Sequence, residues 1–239
     1  MRLALECRTE LLELVQPFGD FDFCLAHEIL KNQEYAKFYK ESEREKIVDN
    51  SVNEDGEPVS LEDLKRAFET VEGTMIVSPD WLGNSKRTLE AYLECIELFG
   101  VEKVIGVVQG ADFKEAIACA SLYKGAVAIP FDICSEKVDP PWIMGLRRAL
   151  VVCNLPSDRI IHLLGFNSLD EFFFYEGKLN VVSIDTGVPV LLGLEGKDIL
   201  DPLESKVKPT YNLMEGKKLT QSEWTGIIRN IALLRKYLP

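Results

Sequence analysis

Apolar residues along this chain fall into short, nearly unbroken runs separated by longer stretches with helical spacing. The runs are "FDFCLAH" (21–27), "KIVDNS" (46–51), "GTMIVSP" (73–79), "EKVIGVVQG" (102–110), "GAVAIP" (125–130), "RIIHLLG" (159–165) and "NVVSIDT" (180–186). A strand with one wet face alternates apolar and polar residues, whereas a continuous apolar run fits a parallel strand covered on both faces. Helices are predicted in the gaps. "SLEDLKRAFETVEG" (60–73) opens with Ser60 as N-cap and Asp63 three residues on, and stops at Gly73. "NSKRTLEAYLECIELFG" (84–100) places Leu89, Tyr92, Leu93, Ile96 and Phe99 on one face and ends at Gly100. "ADFKEAIACASLYKG" (111–125) stops at Gly125, and "NSLDEFFFYEGK" (167–178) offers Asn167 or Ser168 as cap and Gly177 as stop.

This β-α-β-α order, with right-handed crossovers, predicts an α/β fold. Seven strands in 239 residues, close to the ~250 typical of the architecture, point to a (β/α)8 TIM-type barrel. The whole chain, 1–239, reads as one domain, with a loop at "DPLESKVKPTYNLMEGKK" (201–218) and a final amphipathic helix forming a C-terminal extension from 201 to 239. The eighth strand is irregular in the pattern, and "PVLLGL" (189–194) is the candidate for it. "MRLALECRTELLELV" (1–15) reads as an amphipathic helix, its acids excluding a secretory signal. A doubly wound open sheet is the second choice. No G-x-G-x-x-G follows a strand and no P-loop is present, which weakens it.

Composition narrows the classes further. Hydrophobic residues make up 46% of the chain, enough for a large core, and no apolar run approaches the ~20 residues of a membrane helix. Six cysteines without a C-x-x-C pair, together with only His27 and His162, argue against a zinc site by spacing and fit a reducing, cytoplasmic setting. The net charge of −12 opposes tight non-specific binding to nucleic acid. Lys206, Lys208, Lys217, Lys218, Arg229, Arg235 and Lys236 nevertheless gather positive charge near the end of the chain, as a solvated surface or as a phosphate-contacting patch.

In a barrel, chemistry sits at the C-terminal strand ends. Those ends carry His27, Asp49 with Asn50, Asp80, Gln109 with Gly110, Pro130 with Asp132 beyond it, Gly165 and Asp185. A carboxylate at the lip of an apolar strand is costly unless it is hydrogen-bonded or paired. Each residue also has a plain structural role: Asp49 and Asp80 as turn residues, His27 as a hydrogen-bonded core residue. Several acids facing an amide suit glycosyl transfer, in which one carboxylate attacks or stabilises a cationic carbon and another moves protons. A Schiff-base mechanism lacks a lysine at any strand end. A phosphate site near Gly187, Gly193 and Gly196 lacks a basic residue before Lys197 and a clear helix start.

Four motifs in order resemble the tRNA-guanine transglycosylase superfamily, including its DNA-guanine transglycosylase branch. "VDNS" (48–51) looks like the D-S-G strand end, "VVQGA" (107–111) like V-Q-G-G, "RIIHLLGFNSLDEFFF" (159–174) like the segment with L-M-G-V-G, and "VVSIDTGVP" (181–189) like F-D-[CS]-V-x-P. "SPDWLG" (78–83) matches the acid that reads the base. The resemblance implies that Asp185 attacks C1′ of a guanosine nucleotide and that Asp49 is the general acid/base. It implies further that Asp80, Gln109, Gly110 and the strand-end Asn50 bind the base, with Trp81 stacking on it or packing at the rim. No cofactor and no membrane are implied. The resemblance implies a nucleic-acid substrate, DNA before tRNA, or a nucleoside, with a free 7-deazaguanine as the incoming base; the oligomeric state is left open.

Departures from the family are specific. The T-R and basic residues after the nucleophile are replaced by "VPVLLGLEG", "VNEDG" follows the D-S position, and no cysteine after Cys153 remains for the C-terminal zinc module. Two alternatives stand beside base exchange: an N-glycoside hydrolase releasing a nucleobase, and a non-catalytic partner subunit of a transglycosylase.

Overall fold

The structure, a computed structural model, describes residues 1–52, 56–134, 142–166, 169–200 and 218–239. Eight parallel strands form a nearly closed barrel: β1 (Arg2–Leu5), β2 (Asp22–Leu25), β3 (Lys46–Asp49), β4 (Met75–Val77), β5 (Val104–Val107), β6 (Val127–Pro130), β7 (Ile161–Leu164) and β8 (Val181–Thr186). Their order around the barrel is β1-β8-β7-β6-β5-β4-β3-β2, every neighbouring pair parallel. All seven predicted strands are present, each within the run that marked it.

The eighth strand is not where the pattern placed it. Residues 189–194 lie in a helix, Val188–Leu194, that carries Pro189 in its first turn, where no intrahelical N–H bond is lost. The missing strand is β1, inside the segment read as one amphipathic helix. Leu3 and Leu5 alternate with period two and belong to the strand, while Leu11, Leu12 and Val15 belong to short helical turns between Thr9 and Phe18. Two abutting patterns imitate one helix when read together.

The seam between β1 and β2 is closed by Asp20. Its amide donates to the Leu3 carbonyl at 2.7 Å, and its carboxylate accepts from the Leu3 amide at 2.8 Å. Arg235 of the last helix, Gln221–Tyr237, grips the same carboxylate through two nitrogens, at 2.8 and 3.0 Å. This last helix is opened by a capping box between Thr220 and Glu223. It packs closely on Val188–Leu194 where Gly193 faces Gly226: a Cβ on Gly193 would lie 2.4 Å from the Ile227 amide nitrogen. The 201–217 part of the predicted extension lies outside the described residues, as do Asn167 and Ser168, the proposed caps.

Other helices follow the sequence with small shifts. Ser60 Oγ caps Leu61–Val71 by accepting from the Asp63 amide at 3.1 Å. Ser85–Phe99 buries Thr88, Tyr92 and Cys95, so its inner face is rotated from the predicted one and leaves Leu93 exposed. Leu169–Tyr175 forms 3₁₀ turns. No helix among the described residues is long and apolar enough to cross a membrane. All six cysteines are free thiols, five of them buried.

Inside the barrel, Ala4, Phe21, Phe23, Leu25, Ile47, Val77, Ile105, Val107, Ala128 and Leu164 form an apolar plug. A larger layer packs between strands and helices. The plug reaches the last residues of β2, β4, β5 and β7, and polar side chains follow directly beyond it.

Candidate functional site

Asp185 is the second-last residue of β8 and only 2% exposed. The amide of Gly165, just past β7, donates to both of its oxygens at 3.2 Å, and His162 Nε2 meets Oδ1 at 2.8 Å. Gly165 adopts φ +72°, a left-handed conformation that favours glycine and turns its N–H onto the carboxylate. The Glu6 side chain, one residue past β1, also hydrogen-bonds Asp185. Burial pushes Asp185 up to about 6, against the lowering effect of the bonds from Glu6 and Gly165.

His162 lies mid-strand in β7 with its side chain in the barrel, stacked on Phe23 at 5.6 Å between ring centroids. Burial first, and the charge of Arg148 second, push its pKa down to about 3. The ring is therefore neutral near pH 7. Its Nε2–H donates to Asp185, and Nδ1 accepts from the Ser183 hydroxyl at 2.9 Å. The contact between His162 and Asp185 is thus a hydrogen bond to the carboxylate, with the imidazole uncharged.

Gly165 is itself held from behind. Arg148, fully buried on the helix Trp142–Asn154, donates to the carbonyls of Leu164 at 3.0 Å and Gly165 at 2.8 Å. The same guanidinium is clamped by Glu171, with Nη2 to Oε2 at 2.6 Å, and Tyr175 donates to Glu171 at 2.7 Å. This paired charge fixes the β7 end at which the Asp185 carboxylate is received.

Four strands away around the barrel lies a second carboxylate network. Asp80, beyond β4 and 3% exposed, accepts from Asn50 Nδ2 at 2.9 Å on one oxygen and from Gln109 Nε2 at 2.8 Å on the other. Burial raises Asp80 to about 6 despite those two bonds. Asn50 Nδ2 also donates to the Ser78 carbonyl at 2.8 Å. The structure thus brings Asn50, Asp80 and Gln109 together as one unit spanning the ends of β3, β4 and β5. Asp49 is buried beside them and accepts from the Ser51 amide at 2.7 Å; Ser51 is held at φ +63° and takes the His27 amide on its hydroxyl at 3.2 Å.

Two predicted residues have other duties. The Gly110 amide donates to the Ile133 carbonyl at 3.1 Å, and a Cβ there would lie 2.4 Å from the Ala116 nitrogen. Close packing of the following helix accounts for this glycine. Trp81 donates from Nε1 to Glu57 at 2.6 Å, and the Arg87 guanidinium lies 3.8 Å from the centre of its ring, covering one face. Of the basic C-terminal residues, Arg229 pairs with Asp198 at 2.6 Å and Arg235 with Asp20 below the barrel; Lys206, Lys208 and Lys217 lie outside the described residues.

Sequence reading missed Glu6, His162 and the pair Arg148–Glu171. Glu6 was hidden by the misread N-terminal segment. A histidine inside the apolar run "RIIHLLG" was the available signal for His162, because a buried imidazole needs partners. No family model matches this chain, and no curated protein matches it.

Proposed function

We propose that this barrel is a base-exchange glycosyltransferase that replaces guanine in a nucleic acid, DNA before tRNA, with a 7-deazaguanine. The observation that carries the reading is the division of the mouth into two buried acid centres. One is Asp185, oriented by His162, the Gly165 amide and Glu6, and the other is the Asp80–Asn50–Gln109 unit with the donors and acceptors to read a heterocycle's polar edge. In the first step an Asp185 oxygen attacks C1′. The bond from C1′ to the base nitrogen breaks, its electron pair leaves with guanine, and Asp49 supplies the proton. In the second step Asp49 takes the proton from the incoming base, whose nitrogen attacks C1′ and releases Asp185. Two displacements retain the configuration at C1′. His162 and the Gly165 amide orient the attacking carboxylate, and Arg148 supports Gly165. A target in a duplex has to leave its stack to reach the mouth. The free thiols support a cytoplasmic setting.

A second reading is favoured by the net charge of −12, which suits a small substrate. Water then replaces the incoming base, and the enzyme is an N-glycoside hydrolase. Incubating the protein with guanine-containing DNA, tRNA and guanosine, each with and without a free 7-deazaguanine, and quantifying released guanine by chromatography separates the two. Base exchange predicts release only with the added base; hydrolysis predicts release without it. No release under any condition from folded protein sinks both.

A further inference from the structure

Five buried side-chain polar atoms among the described residues have no hydrogen-bond partner: Arg8 Nε, Nη1 and Nη2, His27 Nδ1 and Ser78 Oγ. All five belong to segments that follow strands β1, β2 and β4, at the catalytic lip. Four are concentrated in two residues. Arg8 lies two positions past Glu6, the residue bonded to Asp185, and its side chain is only 10% exposed. Among the described residues Glu10 approaches Nη2 to 4.0 Å, beyond hydrogen-bond reach.

A guanidinium keeps its charge in any protein environment, so burying one without a partner is strongly unfavourable. The other buried or half-buried arginines show how this fold satisfies a structural one. Arg148 is forked onto Glu171 and two carbonyls, Arg44 onto Asp22 and the carbonyls of Gln16 and Gly19, and Arg159 onto the carbonyls of Tyr123 and Gly125. Arg8 has nothing of the kind. The loop that bears it is tied to the segment after β2, where Asn32 Nδ2 donates to Thr9 Oγ1 at 2.9 Å. His27, on that same segment, touches Glu28 through Nε2 at 3.2 Å and leaves Nδ1 bare.

We propose that Arg8 is an anion-binding residue of the barrel mouth and that its ligand is the phosphate group of the nucleotide whose glycosidic carbon Asp185 attacks, an assignment that rests on the glycosyl-transfer reading above. The planar fork of an arginine matches two phosphate oxygens. Asp49, Asp80, Asp185 and Glu6 make the mouth acidic, and a cation on the segment that follows β1, two residues past Glu6, offsets their repulsion of an anionic substrate. The phosphate comes either from a free nucleotide or from the backbone of a nucleic acid, and both present the same oxygens.

The test compares the full chain with Arg8→Met, and with Arg8→Lys, which keeps the charge but loses the fork. Thermal unfolding is followed against inorganic phosphate at ionic strength matched with chloride. Removing an unpartnered buried charge raises Tm in the absence of phosphate; phosphate raises the Tm of the unsubstituted chain saturably, raises that of Arg8→Lys less and leaves Arg8→Met unmoved. A lower Tm for Arg8→Met together with no phosphate response in the unsubstituted chain assigns Arg8 a structural role and overturns the proposal. Calorimetric titration of Asp185→Asn with guanosine, guanosine 5′-monophosphate and a guanine-containing oligonucleotide then identifies the ligand. Preference for a phosphorylated form by about tenfold or more, lost in the double variant with Arg8→Met while guanosine binding persists, supports the assignment and names the source of the phosphate. A phosphate response in Tm with equal affinity for guanosine and both phosphorylated ligands overturns the nucleotide assignment. Because neither readout needs turnover, failure of base exchange is seen separately.

Discussion

Replacing Asp80 by Asn probes the base-reading unit through its effect on stability with pH. In the folded protein Asp80 titrates near 6, against 3.8 for an ordinary carboxyl, because burial penalises its charged form. Between those two values the folded state holds a proton that the unfolded state has released, so stability falls as pH rises through the window. The difference is about 2 pH units, and at about 1.4 kcal/mol per unit the folded protein loses about 3 kcal/mol between pH 4 and pH 7 through this one group. Asp80→Asn has no such titration. Urea unfolding of both proteins at pH 4, 5, 6 and 7 isolates the term, since the contributions of His162 and Asp185 cancel in the difference. The advantage of the unsubstituted chain over the variant should shrink by about 3 kcal/mol from pH 4 to pH 7. A difference that stays constant with pH would refute the buried, raised carboxyl on which the base-reading role depends.

Base exchange should show an acid limb near pH 6, falling about tenfold per unit below it, because the nucleophile must be ionised. Glu6 hydrogen-bonds Asp185 and lowers its pKa, so Glu6→Gln should shift the limb in the kcat/KM profile. Glu171→Gln breaks the bidentate contact to the buried Arg148 and should cost about 3–5 kcal/mol in urea unfolding. Gly193→Ala drives a methyl group into the backbone of the last helix and should cost about 1–3 kcal/mol by the same assay.

The barrel was legible because parallel strands covered on both faces are continuous apolar runs, and seven of them stand apart from the helical patterns around them. β1 was not, since its four residues run directly into leucines with helical spacing. Everything chemical in that stretch was lost with it, including Glu6 and Arg8. Asp49, Asp80, Gln109 and Asp185 could be read from position alone, as polar residues closing apolar runs. The mutual bonding of Asn50, Asp80 and Gln109 could not, because it depends on the register of three neighbouring strands. Arg148 comes from a helix and reaches inward to the end of β7, a contact that no local pattern encodes. Gly110 shows the opposite case: helix packing explains a residue that resembled part of a binding motif.

The central claim is that Asp185 becomes covalently bonded to C1′. Intact-protein mass spectrometry after incubation with guanine-containing DNA, tRNA or nucleoside, quenched in acid, tests it directly. The account predicts an adduct with the mass of the base-depleted substrate, formed with one substrate class, localised to Asp185 by peptide mapping and absent from Asp185→Asn. Guanine release without any adduct at Asp185, or an adduct that persists in Asp185→Asn, would contradict it.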